Sequence, residues 1–574
     1  MKKRVAEILS QLIQKHYDIQ VPDIQLDTPP DKKLGDIAFG CFVLARELKK
    51  SPAIIAEEIA EICSNIKEFS LVQVSGPYLN ISLSDDIFFK ALQEYSIPKY
   101  EKKDESIVID YIGANVGKPL HIGHMCTPNQ GQVMIEVYKK LGYNVISDSH
   151  IGDWGIIFGK LITAYKKYGD EQKLSENAVD HLFELYVKIS ADAKEDAALE
   201  EEFRKEFKDL ASGNTESIQL WSQFTAHSIE AMNTQLARLG VKPDYDIGES
   251  FYEGIGLPKT GDYPDLKYDM KSIVAELVEK GIASQNDDGS VGVVFEDELK
   301  VPSCILQKRD GSHGYLASDL SALKYRGENW NPQKIIYFLD VRQKLHLQQA
   351  FIIAQRAGWL GETELIHAHN GFISLKDGAM STREGRIIRL DDLLDEAEQR
   401  AKNLILTKRT DFSPEELNNL SKIIGMGAIK YGYLKKSRET DIVFDWDEFM
   451  SFEGNSGPYI QYGYVRAKNI LNQIPDNITL KESVVFTQEA KELIGLITEY
   501  HHKLNETSQK NMPHILCGYA YELTKVFSSF YSHSPIINEP DEGMRNVRVM
   551  ITKMYHDVLK DVFDLLVIPL PDKM

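Results

Sequence analysis

Apolar positions recur at helical spacing in the first part of the chain. The opening run MKKRVAEILSQLIQKH has an apolar stripe, and SPAIIAEEIAEI has another, with Ser51 at the cap and Pro52 in the first turn. The polar run KYEKKDES at 99–106 separates these elements from the next group of apolar runs. We predict a small α/β domain over residues 1–99 that ends in a linker.

The next apolar runs predict a βαβ unit. IVIDYI (107–112) suits a buried parallel strand, VMIEVYKKLGY (133–143) has helical periodicity, and NVIS (144–147) is typical of a second strand. Further strand-like runs occur at VGVVF (291–295) and IIYFLD (335–340). This order predicts a doubly wound, Rossmann-like parallel sheet.

Helical periodicity dominates the remainder. Residues 170–240 are acidic and helical in pattern, which indicates a helical insertion that extends over about residues 170–300. SPEELNNLSKIIGMGAIKYGYL (413–434) opens with a capping box, Ser413 to Glu416. From there to Met574 the pattern is almost wholly helical, so we expect an all-α carboxy-terminal bundle. The predicted fold class is α/β and multidomain.

Composition limits the classes of function. The chain has 574 residues and a net charge of −20, which argues against indiscriminate nucleic-acid binding but allows a polyanion on a local basic surface. Its five cysteines are far apart and form no CxxC pair, so we expect a cytoplasmic protein without a structural metal. No run of eighteen apolar residues is present, which predicts no membrane span.

The stretch NVGKPLHIGH places two histidines three residues apart, directly after a predicted strand. His121 and His124 would share one face of a helix start, and a zinc half-site is one interpretation. No carboxylate or cysteine close in sequence completes such a site, so we predict no metal. Two imidazole donors beside Gly123, which admits close backbone approach, suit charge on a reacting phosphate instead.

A second motif, KDGAMSTREG, occupies residues 376–385. Hydroxyl and cationic side chains between two glycines are typical of a mobile phosphate-binding loop, although an ordinary polar turn has the same composition. The candidate ATP-binding residues in this loop are Met380, Ser381, Thr382 and Arg383.

Together the two motifs resemble the signature pair of the class I aminoacyl-tRNA synthetases. The resemblance narrows to the arginyl-tRNA synthetase family over nearly the whole chain. It includes GDIAFGCF, SGPYLNI, DYIGANVGKPLHIGH, HIGDWG, LGVKPDYDIGES, YLASD, DVRQKLHLQQ, MSTREG, FDWDEFMSFEGNSGPYIQYGYVRAKNIL and the terminal PLPDKM.

The resemblance implies an activity and a set of partners. The chain would activate L-arginine with ATP, as its Mg²⁺ complex, and transfer it to tRNA(Arg), acting as a cytoplasmic monomer. The implied domains are an additional tRNA-binding domain at 1–99, a catalytic domain at 104–400, a helical stem-contact segment at 401–445 and an anticodon-binding domain at 446–574. In the last of these, Tyr459, Gln461, Tyr462 and Arg466 have side chains suited to unpaired bases.

The resemblance also implies site residues. His121 and His124 would contact ATP and the reacting phosphate, with Gly123 leaving room for the nucleotide. The receptor for the arginine guanidinium would consist of Asp110, Tyr315, Asp319 and Gln343, because carboxylates and polar oxygens match its fork of donors. Asn115 and His121 would hold the α-amino and carboxylate end. Trp154 we expect to be structural.

The sequence departs from the family pattern in both motifs. Met125 to Pro128 replace an Arg-Ser-Thr-like run, and the second loop has Ala379, Thr382 and Glu384 where lysines are usual. Lys118 would supply the missing cation, with Arg383 assisting. A degenerate paralogue with a binding role therefore stays open, as does another class I synthetase or a nucleotidylyltransferase.

Overall fold

The structure is a computed structural model that describes residues 1–20, 24–254, 257–375, 388–474, 478–480 and 484–574. It comprises two compact units. One contains Met1–Pro98, Tyr462–Lys503 and Tyr519–Asp561; the other contains Lys99–Gln461, Leu504–Gly518 and Val562–Met574. These units are not the four domain ranges expected from the sequence, which stay predictions.

Residues 1–98 form the predicted small α/β arrangement. Its elements are α1 (Lys2–Tyr17), β1 (Leu26–Asp27), a 3-10 helix (Lys32–Leu34), β2 (Ile37–Gly40), α2 (Phe42–Leu48), α3 (Pro52–Cys63), β3 (Phe69–Ser75), β4 (Tyr78–Leu83) and α4 (Asp85–Gln93). The strands make an antiparallel sheet in the order β1-β2-β4-β3. Ser51 caps α3 by accepting a hydrogen bond from the Ile54 amide, as the sequence predicts.

The first half of the second unit begins with the βαβ pattern. Its elements are β5 (Ser106–Asp110), a 3-10 helix (Ile122–Met125), α5 (Thr127–Lys140), β6 (Asn144–Ser149), α6 (Ile156–Tyr168), α7 (Glu171–Glu176), α8 (Ala178–Glu195), α9 (Ala198–Ala211), α10 (Thr215–Arg238), β7 (Tyr245–Asp246) and α11 (Glu249–Glu253).

The chain then returns to the sheet. The elements are α12 (Met270–Glu279), β8 (Ser284–Gln285), β9 (Val291–Val293), a 3-10 helix (Asp297–Leu299), β10 (Cys304–Gln307), α13 (Tyr315–Trp330), β11 (Lys334–Tyr337), a 3-10 helix (Val341–Gln343), α14 (Lys344–Ala357), β12 (Glu364–His367), β13 (Ile373–Leu375), α15 (Leu390–Lys408), α16 (Pro414–Leu434), β14 (Ile442–Phe444) and α17 (Trp446–Phe449).

The carboxy-terminal helices are α18 (Gly457–Leu471), α19 (Gln488–Thr498), α20 (Tyr500–Lys510), α21 (His514–His533) and α22 (Glu542–Leu565). Among the described residues, no helix combines the length and the apolar character needed to cross a membrane.

The central sheet has the order β12-β11-β5-β6-β7, and all its strands are parallel. From β5 the chain first adds β6 and β7 on one side and later adds β11 and β12 on the other. The order therefore reverses beside β5, and a crevice is expected at the carboxyl ends of β5 and β11. The predicted α/β multidomain fold with a Rossmann-like sheet is confirmed.

Several predicted elements differ from those observed. Helix α5 begins at Thr127, six residues before the predicted start, because Pro128 opens the helix and the buried polar residues Gln130 and Gln132 hide its periodicity. VGVVF lies in a separate antiparallel sheet, β10-β9-β8, so the insertion is not purely helical. The short strand β14 also interrupts the helical carboxy-terminal part and pairs with β13.

An internal ion cluster connects three strands of the central sheet. The fully buried Arg326 guanidinium on α13 donates to Asp110 on β5 (2.8 Å), to Asp148 on β6 (2.6 and 2.9 Å) and to the Tyr337 hydroxyl on β11 (2.8 Å). Two buried carboxylates would repel each other without this cation, and burial alone penalises each charge. Arg326 therefore fixes the carboxyl ends of β5, β6 and β11 relative to one another.

We predict that Arg326→Met lowers the free energy of unfolding of this unit by about 3 to 5 kcal/mol, because it leaves two buried carboxylates without a cation. All five tryptophans (Trp154, Trp221, Trp330, Trp359 and Trp446) lie in Lys99–Gln461, so urea unfolding followed by tryptophan fluorescence reports on this unit.

The matched control is Arg204→Met. Arg204 on α9 forms an exposed pair with Glu201 and should change the same quantity by less than about 0.5 kcal/mol. Equal effects of the two substitutions would contradict the stabilising role of the buried cluster.

Candidate active site

The two histidines cap the short helix that follows β5. The His121 backbone is extended, and its Nδ1 accepts a hydrogen bond from the Gly123 amide at 3.0 Å. The His124 Nδ1 in turn accepts from the His121 amide at 3.0 Å, and the ring centroids are 4.2 Å apart. The backbone of the turn thereby orients both rings.

The backbone hydrogen bonds to Nδ1 determine which nitrogen of each imidazole carries the proton. Since each Nδ1 accepts a backbone hydrogen bond, the neutral rings carry their proton on Nε2. Burial lowers the pKa of His121, and the charges of Arg342 and Lys118 lower it further. Burial and the neighbouring His121 lower the pKa of His124 to about 3. Near neutral pH the turn presents two neutral N–H donors.

Gly123 is required by this geometry. A Cβ at this position would lie 2.7 Å from Cε1 of His121, closer than van der Waals contact allows. Lys118 lies just before the turn, half-buried, with its Nζ 5.1 Å from the ring centroid of Tyr186. Lys118 and Arg342 both act on His121 as positive charges, and Arg342 is paired with Asp340, so Lys118 is the unpaired cation of the two among the described residues.

Asn115 and Gln343 lie at the same edge of the sheet. Asn115, exposed, follows β5 and pairs through its backbone with Gly152, where a Cβ would lie 2.2 Å from Oδ1 of Asn115. Gln343, also exposed, ends the 3-10 helix that follows β11. The structure thus places Asn115, His121 and Gln343 at the carboxyl ends of β5 and β11.

Tyr315 and Asp319 occupy one face of α13, one helical turn apart. Tyr315 is 66% exposed, whereas the Asp319 side chain is 17% exposed. Burial would raise the pKa of Asp319, but the hydrogen bond from His346 and the charges of His150 and His346 outweigh it and lower that pKa. Asp319 is therefore ionised in the site.

Glu249 is a site residue that sequence reasoning missed. It is the first residue of α11, directly after the edge strand β7. Burial raises its pKa to about 9, and the charges of Asp319, Asp153 and Glu253 contribute. The pKa of the Tyr315 hydroxyl is raised by burial and then by Glu249. Glu249 therefore lies close enough to both Asp319 and Tyr315 to interact with them electrostatically.

Local hydrogen bonds place Glu249 at that point. Ser250 donates to the buried Asp153 carboxylate through its amide (2.8 Å) and its hydroxyl (2.6 Å). The Trp154 indole donates to Glu253 at 2.9 Å and is buried, as expected of a structural residue. Within the described residues the Glu249 carboxylate has no hydrogen bond or ion pair of its own, so it is available to a ligand.

Asp110 requires a correction. The family resemblance placed it in the guanidinium receptor, but it is 1% exposed and its Oδ2 accepts from the internal Arg326. An aspartate at the end of a central strand, with a buried cation already beside it, is not presented to the crevice. In the structure Asp110 receives an internal guanidinium, and Glu249 is a second carboxylate that interacts electrostatically with Asp319.

Two other sets of predicted residues have different outcomes. The predicted ATP-binding residues of the second motif lie outside the described residues; they are Met380, Ser381, Thr382 and Arg383.

Gln461 is fully buried and donates to the carbonyls of Ile423 and Pro569, so it packs inside its unit. In the other unit, the Arg466 guanidinium lies 4.7 Å from the Tyr462 ring centroid and 4.9 Å from that of Tyr531, and both rings are exposed. Tyr459 is half-buried.

Family models match almost the whole chain. The models for the class I (R) tRNA synthetase catalytic domain, the DALR anticodon-binding domain and the arginyl-tRNA synthetase N-terminal domain match residues 89–446, 460–574 and 1–83. The chain belongs to the arginyl-tRNA synthetase family. It is therefore a class I aminoacyl-tRNA synthetase.

Individual relatives agree with this membership. The arginine–tRNA ligases of Clostridium beijerinckii and Clostridium perfringens are 34% and 35% identical, with both chains fully covered. The arginyl-tRNA synthetase of Plasmodium falciparum has the same fold, with a TM-score of 0.81 and 22% identity over 100% of this chain and 99% of that one. For the Thermus thermophilus enzyme the TM-score is 0.80 at 20% identity, with both chains fully covered.

We predict that His124 of this synthetase stays neutral from about pH 8 to about pH 5, with its proton on Nε2. Burial disfavours the charged ring, and Nδ1 is already used as an acceptor. Two-dimensional ¹⁵N–¹H correlation of the histidine side chains measures this directly.

His346 is the internal control for that measurement. Burial opposes its charged form, but Asp319 outweighs this and raises the pKa of His346, so it should titrate above the ordinary range. Protonation of Nδ1 on His124 within the same pH interval would contradict the assignment.

Proposed function

We infer that this synthetase is an arginine–tRNA ligase that uses ATP, as its Mg²⁺ complex, to attach L-arginine to tRNA(Arg). We also propose that it acts as a monomer in the cytoplasm. The observation that carries the substrate assignment is a pair of carboxylates, Glu249 and Asp319, that interact electrostatically, with Tyr315 on the same helix face as Asp319. Among the described residues neither carboxylate forms an ion pair with a lysine or arginine.

A guanidinium group fits this receptor. It is planar, permanently charged and presents five N–H donors, which two carboxylates and a phenolic oxygen can accept. Lysine offers three donors from a single point and would leave part of this acceptor set buried and unpaired. A neutral analogue such as citrulline would leave the Asp319 charge uncompensated and would not favour ionisation of Glu249. The receptor therefore selects arginine on both shape and charge.

The opposite end of the substrate would lie at the histidine turn. We propose that Asn115 and His121 hold the α-amino and carboxylate groups, since both follow β5 at the carboxyl edge of the sheet. Gln343, which follows β11 at the same edge, is proposed to belong to the guanidinium receptor, as the family resemblance implies. A substrate that spans from the histidine turn to Glu249 and Asp319 has its carboxylate beside the imidazoles. This places the reacting oxygen where ATP would bind.

In the first step, a carboxylate oxygen of arginine attacks the α-phosphorus of ATP. The bond from this phosphorus to the oxygen bridging to the β-phosphate breaks, and diphosphate leaves. Negative charge accumulates on the phosphate oxygens, and the Nε2–H groups of His121 and His124 are oriented to donate to them. Because both rings are neutral, they act as hydrogen-bond donors and transfer no proton.

Cations beside the turn complete the phosphate site. Lys118 is proposed to bind the phosphates, Gly123 to admit the nucleotide, and Met380, Ser381, Thr382 and Arg383 to contribute from the second motif. In the second step a ribose hydroxyl of the tRNA 3′ adenosine attacks the carbonyl carbon of arginyl-adenylate. AMP leaves, and the proton of the hydroxyl passes to the departing phosphate or to water.

The other unit offers a surface for tRNA. Tyr462, Arg466 and Tyr531 form an exposed aromatic–guanidinium–aromatic set, which suits stacking on unpaired bases. We propose this set as part of the anticodon-binding region, and residues 1–99 and 401–445 as further tRNA-binding segments.

The test of this function is attachment of labelled arginine to tRNA(Arg) by the purified chain. We expect charging with arginine and none with lysine or glutamate, and we expect Lys118→Met to raise KM for ATP at least about tenfold because one phosphate-binding charge is lost. Arginine binding without any charging would favour the degenerate-paralogue alternative.

Lys160→Met is the matched control for the lysine substitution. Lys160 also lies over an aromatic ring, 5.0 Å from the Phe203 centroid, but it pairs with Glu200 in the helical insertion. It should leave KM for ATP unchanged. A similar loss in both variants would indicate a structural effect and contradict the phosphate role of Lys118.

Arginine binding should also release a proton. Glu249 keeps its proton below its pKa of about 9, whereas a guanidinium favours the carboxylate. We expect about one proton released per arginine near pH 7.5, and a KM for arginine that falls as pH rises toward 9. Calorimetry in two buffers of different ionisation enthalpy, with tRNA present, measures the release.

Glu249→Gln should abolish most of this release and raise KM for arginine. Glu296→Gln, which changes an exposed carboxylate paired with Arg356, should leave both quantities unchanged. Undiminished proton release by the Glu249 variant would remove this residue from the receptor.

A further inference from the structure

His346 is a half-buried polar residue beside the receptor, and neither the motifs nor the proposed reaction assigns it a role. It lies in the first turn of α14, three residues after Gln343, so the two side chains share one face of the helix start. Its Nε2 lies 2.5 Å from Oδ2 of Asp319. The contact joins the start of α14 to the face of α13 that carries Tyr315.

The two oxygens of Asp319 have different surroundings. Oδ2 is hydrogen-bonded to His346, whereas no hydrogen bond to Oδ1 is found among the described residues, and Nε2 of His150 lies 4.0 Å from Oδ1, beyond hydrogen-bond distance. His150 is itself within 3.4 Å of the Ser318 hydroxyl. One oxygen of Asp319 is therefore committed to the protein, and the other is left for a ligand.

A short aspartate side chain with a single fixed partner adopts one orientation of its carboxylate plane. Without that partner the group could rotate about its terminal bond, which has a broad torsional preference. A guanidinium needs its acceptors in fixed positions, because its donors form a rigid fork. An oriented carboxylate thus binds at a smaller entropic cost than a rotating one.

The imidazole keeps this role in either protonation state. The charged ring donates from Nε2, and so does the neutral tautomer with its proton on Nε2. The hydrogen bond therefore does not depend on titration of His346. A neutral amide of similar reach could replace it.

We propose that His346 is a positioning residue for arginine recognition: it holds Oδ2 of Asp319 and thereby presents Oδ1 to the substrate guanidinium. The proposal rests on the function inferred above. It predicts an effect on arginine binding and discrimination that is separate from ATP binding.

A purely structural role would also explain a contact between α13 and α14, so the experiment must separate the two roles. Three variants are compared by tRNA charging: His346→Leu, which removes the donor; His346→Gln, which restores an amide donor at the position of Nε2; and Gln349→Leu. Gln349 lies on the same helix and donates to the Pro302 carbonyl at 2.8 Å, away from Asp319.

We expect His346→Leu to raise KM for arginine about tenfold, with KM for ATP and kcat within about twofold of the wild type. His346→Gln should recover most of this loss. Gln349→Leu should lower the melting temperature while leaving KM for arginine unchanged, which shows that a weakened α14 alone has no such effect.

The possible outcomes are distinguishable. If wild-type protein charges no arginine, the proposed function fails. If the wild type charges arginine but His346→Leu leaves its KM unchanged, or raises both KM values together as Gln349→Leu does, the positioning role is overturned. Failure of the glutamine variant to restore binding overturns it as well.

Discussion

Guanidinium–carboxylate pairing stabilises the framework of this enzyme and, in the function proposed above, also forms its substrate receptor. Arg326 satisfies Asp110 and Asp148 inside the protein, and the ends of three parallel strands depend on that pairing. In the same unit, Glu249 and Asp319 present similar chemistry, but among the described residues no arginine or lysine forms an ion pair with either carboxylate. The difference between the two carboxylate pairs is whether the protein itself supplies the guanidinium. This difference separates a structural ion cluster from a substrate receptor.

The receptor formed by Glu249 and Asp319 must also be stable in the folded protein before arginine binds. Two adjacent, largely buried carboxylates cannot both be ionised at low cost. In this structure one of the two is ionised and the other is protonated. Asp319 has a histidine partner, which favours its charged form, whereas Glu249 has none and keeps its proton. Before arginine binds, the proposed receptor therefore holds one negative charge, on Asp319. The complex with arginine would have two, because Glu249 would then be ionised as well. If Glu249 and Asp319 form the receptor as proposed, substrate binding is coupled to proton loss as a direct consequence.

The sequence was sufficient for the fold class, the family resemblance and the histidine turn, because each is encoded locally. The capping box at Ser413 and the cap at Ser51 formed as predicted for the same reason. The assignment of Asp110 failed because the cation that occupies it, Arg326, is more than two hundred residues away in the chain. Glu249 was missed because the strand before it has two residues, too short for a periodic signal, although its position after a strand end is typical of ligand-binding residues.

The proposed phosphate site uses neutral hydrogen-bond donors and cations, whereas the proposed arginine site uses carboxylate acceptors. The histidine turn uses backbone amides to fix both Nδ1 atoms, so the only N–H protons on the neutral rings are directed away from the turn. Neutral donors stabilise a phosphate locally but do not offset its net charge, and a triphosphate needs cations as well. Lys118 and Arg342 act on His121 from its surroundings, so positive charge near the turn does not depend on the second motif alone. The first motif carries one cation, Lys118, beside its histidines, and we propose that this charge replaces the lysines absent at Ala379 and Thr382.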